Sequence, residues 1–167
     1  MRHTLLAAAV VLLPFAAGAD PQQVALATEL AASPEEVWTT IGNFHDMSWH
    51  PAVFATEGEG DATPGATRVL TLGEEGGPTI SETLDARDEA GMSYSYRITE
   101  VDPAVLPVTD YSSTLAVTAR EDGGASVTWT GTFEPSEGAS DEDAVGAIAG
   151  VYQGGLDALT ERFGAAE

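Results

Sequence analysis

The stretch from Val53 to Glu134 constrains this chain more than any other: six segments of alternating apolar and polar residues, each cut from the next by a turn. The segments lie at about 53–60, 66–72, 78–87, 92–101, 109–120 and 125–134. Four of the breaks, 61–65, 73–77, 88–91 and 122–124, are rich in the Gly, Asp and Pro that tight turns require. A period of two puts every second side chain on one face, so each segment reads as a half-buried strand. Strands this closely spaced make an antiparallel meander.

Two further patterns flank it. In Gln22 to Ala31, Val24, Leu26, Thr28 and Leu30 share one face, which predicts a seventh strand. Ser33-Pro34-Glu35-Glu36 then supplies an N-cap serine, a proline at the first helical position and a capping-box glutamate at the third. The helix it opens carries Val37, Trp38 and Ile41 and stops near Gly42, and a second short helical turn is expected from Met47 to His50, ended by Pro51. At the far end Ser140 caps a helix with Asp141, Glu142 and Asp143 in its first turn, where acids suit the helix dipole. Val145, Ile148, Tyr152, Leu156, Leu159 and Phe163 recur at spacings of three or four and form one apolar stripe. The predicted order is strand, two short helices, six-stranded meander and long helix, an α+β class.

Residues 1–19 read as an export signal: Arg2 near the start, an apolar run from Leu5 to Ala17, and Ala17-Gly18-Ala19 as a small-x-small cleavage site. The run is shorter than the roughly 20 residues needed to span a bilayer. Cleavage near Ala19 would leave residues 20–167 as a single domain, periplasmic or secreted. The chain has no cysteine, so thiol nucleophiles, disulfides and thiolate metal sites are excluded. Lysine is also absent. Once Arg2 leaves, five arginines face 27 acidic residues, a net charge of −22. Such a surface repels phosphate backbones and anionic lipids, which argues against nucleic-acid and membrane partners. It suits a basic protein partner, or alternatively adaptation to salt.

The order of elements and the local text resemble the START/Bet v 1-like (SRPBCC) superfamily, and within it the polyketide cyclase/dehydrase-like branch. The residues that carry the resemblance are Ser33-Pro34-Glu35-Glu36-Val37-Trp38, Trp49-His50-Pro51, Gly65-Ala66-Thr67-Arg68, Glu82 with Leu84, Tyr94-Ser95-Tyr96-Arg97-Ile98, Thr128-Trp129 and Gly155-Leu156. With an export signal and Trp-His-Pro, the chain is similar to the MxaD-like accessory proteins of periplasmic methanol oxidation. The resemblance implies a helix-grip fold: a curved seven-stranded antiparallel sheet wrapped around the long C-terminal helix, enclosing a cavity for a small hydrophobic or aromatic ligand.

Alternation nominates the residues facing that cavity. Met92, Tyr94, Tyr96 and Ile98 share one strand face, as do Val127, Trp129, Gly131 and Phe133, and as do Ile80, Glu82, Leu84 and Ala86. If the hairpin at Gly73–Gly77 is symmetric about Glu75, Arg68 lies opposite Glu82; carried through the next turn, Glu82 faces Tyr96. The expectation is a polar row, Arg68–Glu82–Tyr96, crossing an apolar groove. It serves either as a structural ion pair or as the group that orients a ligand. Trp49, His50, Arg68, Glu82, Tyr94, Tyr96, Tyr111, Trp129 and Tyr152 are the candidate ligand contacts. Glu82 and His50 are the candidate acid/base groups should the protein be a cyclase- or dehydratase-like enzyme.

His45, Asp46 and His50 are poorly spaced for zinc, and no metal site is expected. Gly146, Gly150 and Gly154 form a ridge on the last helix, expected to admit close approach by a ligand or by Tyr96 and Trp129. Asp102 to Pro107 is a stiff apolar loop expected at the cavity mouth. No phosphate loop, dinucleotide fingerprint, nucleophile elbow or HExxH is present, so no cofactor is expected. Asp110-Tyr111-Ser112-Ser113 has no histidine placed to activate a serine. The leading reading is a binding protein.

Overall fold

Seven strands, one short helix and one long helix follow in the predicted order in the computed structural model, which describes residues 21–59 and 62–166. The expected export signal, with its cleavage site near Ala19, lies outside the described residues. Strand β1 (Gln22–Leu30) is followed by α1 (Pro34–Ile41), then β2 (Val53–Glu59), β3 (Thr67–Leu72), β4 (Thr79–Asp88), β5 (Ser93–Val101), β6 (Val108–Ala119), β7 (Ala125–Pro135) and α2 (Asp141–Phe163). All neighbours are antiparallel, in the order β1-β7-β6-β5-β4-β3-β2.

Local chemistry sets the element ends. The Ser33 side chain accepts the Glu36 N–H at 3.3 Å to start α1. Ser140 does the same for α2, accepting from the Asp143 N–H at 3.1 Å. The second helical turn expected at Met47–His50 is a single hydrogen-bonded turn, with the His50 N–H donating to Met47 O at 2.9 Å. It propagates no further, because Pro51 lacks the next donor. At the β3–β4 turn, Gly73 and Gly76 take φ of 73° and 74°, a region closed to most side chains.

Helix α2, about 35 Å long at 1.5 Å per residue, packs against β1 and β7 and buries Ala144, Ile148, Tyr152, Leu156 and Leu159. Its C-terminus is tied back to the first strand: the Ala31 N–H donates to Gly164 O and the Ala166 N–H to Glu29 O, both at 3.0 Å. The core between sheet and helix takes the inner residues of β7 (Val127, Trp129, Phe133) and the aromatic side chains of β5. Bulges in β2, β4 and β6 interrupt the ladders and bend the sheet.

Three expectations need correction. The β4–β5 hairpin turns over Glu89–Met92, closing at Asp88 opposite Ser93, with Met92 at φ 46°. That closure alone would set Glu82 opposite Thr99, but the bulge at Asp85 takes up one position, so Glu82 stands opposite Ile98 and Tyr96 opposite Leu84. The displacement is two residues, which preserves the face, so Tyr96 still points inward but sits diagonal to Glu82. Second, the bulge between Leu84 and Ala86 reverses the alternation: Ala86 is exposed, and Arg87 turns in to lie 5.4 Å from the Trp38 ring. Third, the ridge of Gly146, Gly150 and Gly154 faces away from the sheet, and a Cβ at any of them meets nothing within 4 Å. The glycine that admits close approach is Gly155, where a Cβ would lie 2.7 Å from His50, 2.9 Å from Trp129 and 3.1 Å from Trp49.

Candidate functional site

The inner face of β3–β7, the 102–107 loop, the turn before β2 and the middle of α2 together line a cavity of about 100 Å³. Its walls are mostly aliphatic and aromatic, including Leu70, Ile80, Ile98, Leu106, Trp129 and Ile148. Leu106 and Val105 enter from the 102–107 loop, which therefore closes one end as expected. A larger cleft of about 580 Å³ lies where β5 and β6 separate beyond the Arg97–Ser112 pair. Its walls carry the Arg97–Asp85 ion pair, part-exposed to solvent, and it is more open and more polar than the cavity beneath the sheet. The smaller, mainly apolar cavity between the sheet and α2 is the candidate site.

Three polar features face or back it. The first is the ion pair. Arg68 and Glu82 stand opposite each other on β3 and β4, with Arg68 Nε donating to Glu82 Oε2 at 2.5 Å. The side chains are 1% and 5% exposed. Arg68 Nη1 donates to Phe44 O at 2.7 Å. The guanidinium lies 4.2 Å from the Phe44 ring centroid and 5.1 Å from that of Tyr96, which satisfies its faces as well as its edges. Burial pushes the Glu82 carboxyl above its ordinary range, and Arg68 opposes that shift. Burial is the largest single influence and works against the Arg68 charge, but Glu82, Tyr94 and Tyr96 together outweigh it and the guanidinium is held more firmly charged than usual.

The second is His50, 3% exposed. Its Nδ1 accepts the Ala52 N–H at 3.2 Å, so Nε2 carries the proton and donates to Val151 O at 2.9 Å. Burial holds the imidazole pKa below its usual value, despite the hydrogen bond to Val151. Both nitrogens are committed: the residue fastens the Trp49-His50-Pro51 turn to α2.

The third is a hydroxyl network that runs behind the cavity wall formed by Tyr96, Tyr111 and Trp129. Tyr111 and Tyr152 hydroxyls are 2.7 Å apart, and Tyr152 lies 3.1 Å from Ser113 Oγ. Ser113 donates to Thr130 O at 2.8 Å. Trp129 Nε1 donates to Ser113 Oγ at 3.0 Å and to Tyr96 Oη at 3.1 Å. Burial raises the pKa of all three phenols, Tyr152 to about 12, so each remains a neutral donor. Gly131 makes room for this arrangement, since a Cβ there would stand 2.1 Å from the Tyr152 hydroxyl.

Of the nine candidate contacts, His50, Arg68, Glu82, Tyr96, Tyr111 and Trp129 line the cavity. Trp49, Tyr94 and Tyr152 stand behind that layer. Trp49 packs on Trp129 with ring centroids 5.7 Å apart, and its buried Nε1 has no hydrogen-bond partner. Tyr94 packs on Phe44 and Trp38, and Tyr152 stacks on Trp129 at 4.4 Å. His45 and His50 are not brought together: His45 packs beneath Gly58 while His50 reaches α2. Among the described residues no group of three His, Asp or Glu is arranged to hold a metal ion. The sequence set Ser113 aside only as a serine without an activating histidine, although it is the one polar residue among the inward positions Tyr111, Ser113, Leu115 and Val117 of β6.

The comparisons with known proteins agree with this architecture. The family model described as polyketide cyclase / dehydrase and lipid transport matches residues 21–164. No protein of curated function matches. Among solved structures, the protein XoxI from Bacillus cereus is 33% identical, with a TM-score of 0.74 and coverage of 84% of this chain and 94% of that one. A Thermobifida fusca protein is 34% identical, with a TM-score of 0.71 over 85% of this chain and 93% of the other. A Nitrosospira multiformis protein is 29% identical, with a TM-score of 0.72 over 85% and 96%. A helix-grip fold and a family match over essentially every described element lead to the same conclusion: the chain belongs to the polyketide cyclase/dehydrase and lipid transport family.

Proposed function

We propose that this chain is an exported binding protein that holds one small, mainly apolar molecule between the sheet and α2. The observation that carries this reading is the state of the polar groups around the cavity. His50 has both nitrogens engaged, Glu82 is tied to Arg68, and the phenols are neutral. Such groups orient a ligand well, but none is free to act as a base. The periplasm or extracellular space is the compartment implied by the export signal.

Native mass spectrometry of the mature protein purified from its own host, followed by gentle denaturation, tests the proposal. A stoichiometric small molecule is the expected release. An empty protein that also fails to bind any single-ring compound would refute it.

A cyclase- or dehydratase-like enzyme is the second reading, and one observation favours it: burial raises the carboxyl of Glu82, which lines the cavity, in the direction a general acid needs. Glu82→Gln separates the two, since an enzyme would lose turnover while keeping affinity. A role as an MxaD-like accessory to a periplasmic oxidation system draws on the surface charge instead. Four of the five arginines among the described residues (Arg68, Arg87, Arg97 and Arg120) are already paired with acids, which leaves the surface strongly anionic. Binding to a basic partner would then weaken steeply with salt.

A further inference from the structure

We infer that the Tyr96 hydroxyl is the donor this cavity offers its ligand, so that the site selects neutral ring-sized molecules bearing an acceptor oxygen, such as a ketone, aldehyde or ester carbonyl. The inference rests on the binding reading above and names the class of molecule bound.

The argument follows the protons. Thr130 O is a carbonyl and can only accept, so the Ser113 hydroxyl proton is committed to it at 2.8 Å. Ser113 Oγ then has only acceptor capacity left, which takes the Trp129 N–H and the Tyr152 O–H. Tyr152, having given its proton to Ser113, receives that of Tyr111 at 2.7 Å. The chain therefore runs in one direction, from Tyr111 through Tyr152 and Ser113 into the β7 backbone. Tyr96 is its loose end. Its oxygen accepts from Trp129 Nε1 at 3.1 Å, but the nearest acceptor for its own proton is Tyr111 Oη at 3.5 Å, at the limit of a hydrogen bond. Among the network's hydroxyls, only this proton has no well-made partner, and Tyr96 belongs to the cavity wall.

The rest of the cavity narrows the class. The cation is already matched, because Arg68 is held by Glu82 and Phe44 O, so an anionic ligand has no unpaired charge to meet. At about 100 Å³ the space suits one six-membered ring, somewhat below the roughly 150 Å³ cavity known to hold benzene. A carbonyl oxygen accepting from Tyr96 would complete the network while the ring fills the apolar remainder.

The test is a pair of near-isosteric probes, cyclohexanone and methylenecyclohexane, titrated into the mature protein with ligand-observed NMR. Wild type is expected to prefer the ketone by roughly tenfold, the size of one buried hydrogen bond. Tyr96→Phe should abolish that preference, weakening the ketone far more than the hydrocarbon. A downfield shift of the bound carbonyl carbon in wild type reads the same hydrogen bond without any variant. Equal affinity for the two probes, or a preference that survives Tyr96→Phe, overturns the inference while leaving the cavity a binding site. Failure of both probes to bind wild type overturns the binding reading and the inference with it.

Discussion

Replacing the four interior glycines of α2 one at a time should give opposite results within a single helix. Gly146, Gly150 and Gly154 have open space where a Cβ would go. Alanine at each should gain the helix-propensity difference, about 0.5–1 kcal/mol. At four-residue spacing on the face turned from the sheet, the three should add to about 1.5–3 kcal/mol. For a domain of this size that is a rise in Tm of roughly 5–9 °C, at about 3 °C per kcal/mol. Gly155 differs only in what stands over it. A Cβ there would come within 2.7 Å of His50 Cδ2, 2.9 Å of Trp129 and 3.1 Å of Trp49. None of these rings can swing aside cheaply: His50 is fixed at both nitrogens, and Trp129 is hydrogen-bonded and stacked on Tyr152. Overpacking of this kind costs about 1–3 kcal/mol, enough to cancel the propensity gain and leave a net loss. Urea and thermal unfolding followed by circular dichroism would give the four stabilities, and tryptophan fluorescence would report the displaced rings. If Gly155→Ala is as stabilising as the other three, the close packing of Trp49, His50 and Trp129 on the helix backbone is wrong. If any of the other three destabilises, that face of α2 is not free.

The remaining predictions concern charge. Arg68→Met should cost about 3–5 kcal/mol, because it leaves the Glu82 carboxylate buried without its partner, and Glu82→Gln should cost less, because the amide oxygen still accepts from Arg68; equal losses by urea unfolding would argue against a charged pair. With Arg68 gone the Glu82 carboxyl is raised further by burial, so its protonated form is favoured by folding: the Arg68→Met deficit should shrink as pH falls towards the ordinary glutamate range and grow as pH rises through the raised value. His50 has the opposite sign. Its pKa is lowered in the folded state, so its contribution is present above the ordinary value of 6.5 and is lost as pH falls through the lowered one. Wild type should therefore weaken over that window more than His50→Gln does, and parallel profiles would refute the buried neutral imidazole. Finally, a net charge of −21 implies self-repulsion, so Tm should rise as salt shortens the Debye length from about 30 Å at 0.01 M to about 3 Å at 1 M; a Tm independent of salt would show that the acidic surface is already compensated.

The fold was legible in the sequence because its signals are local. Two periodicities and two serine caps located every helix and strand to within a few residues, and the Gly73–Gly77 turn was symmetric enough to pair Arg68 with Glu82 correctly across β3 and β4. Where that reasoning slipped, the cause was an extra residue. The four-residue turn at Glu89–Met92 and the bulge at Asp85 together displaced the register at Glu82 by two, and the bulge sent Ala86 outward and Arg87 inward. Neither event leaves a mark in an apolar–polar pattern, since a bulge is specified by how two strands meet and not by either strand alone. The glycine ridge failed for a related reason. Spacing shows that Gly146, Gly150 and Gly154 share a side of α2, but which side faces the sheet depends on the whole stripe, and Gly155 lies between Tyr152 and Leu159 on the buried one.

The site was legible as a list of side chains and not as an arrangement. Inward alternation found Tyr96 and Trp129, Tyr111 was named among the candidate contacts, and Tyr152 stood out in the apolar stripe of α2, but nothing in the sequence says that their polar atoms meet. That meeting depends on two small residues. Gly131 leaves the space the Tyr152 hydroxyl occupies, and Ser113 anchors the chain on Thr130 O. The bulge in β6 adds a third condition: Asp110 at φ 49° lets Tyr111 turn inward two positions from Ser113, so both hydroxyls reach Tyr152. The direction of the network then follows from a single carbonyl that cannot donate. A site of this kind is written in the sequence mostly as permissions, a glycine where bulk would intrude and a serine where a leucine would fit. Selectivity built from one uncommitted phenol proton therefore becomes visible only once the distances are known.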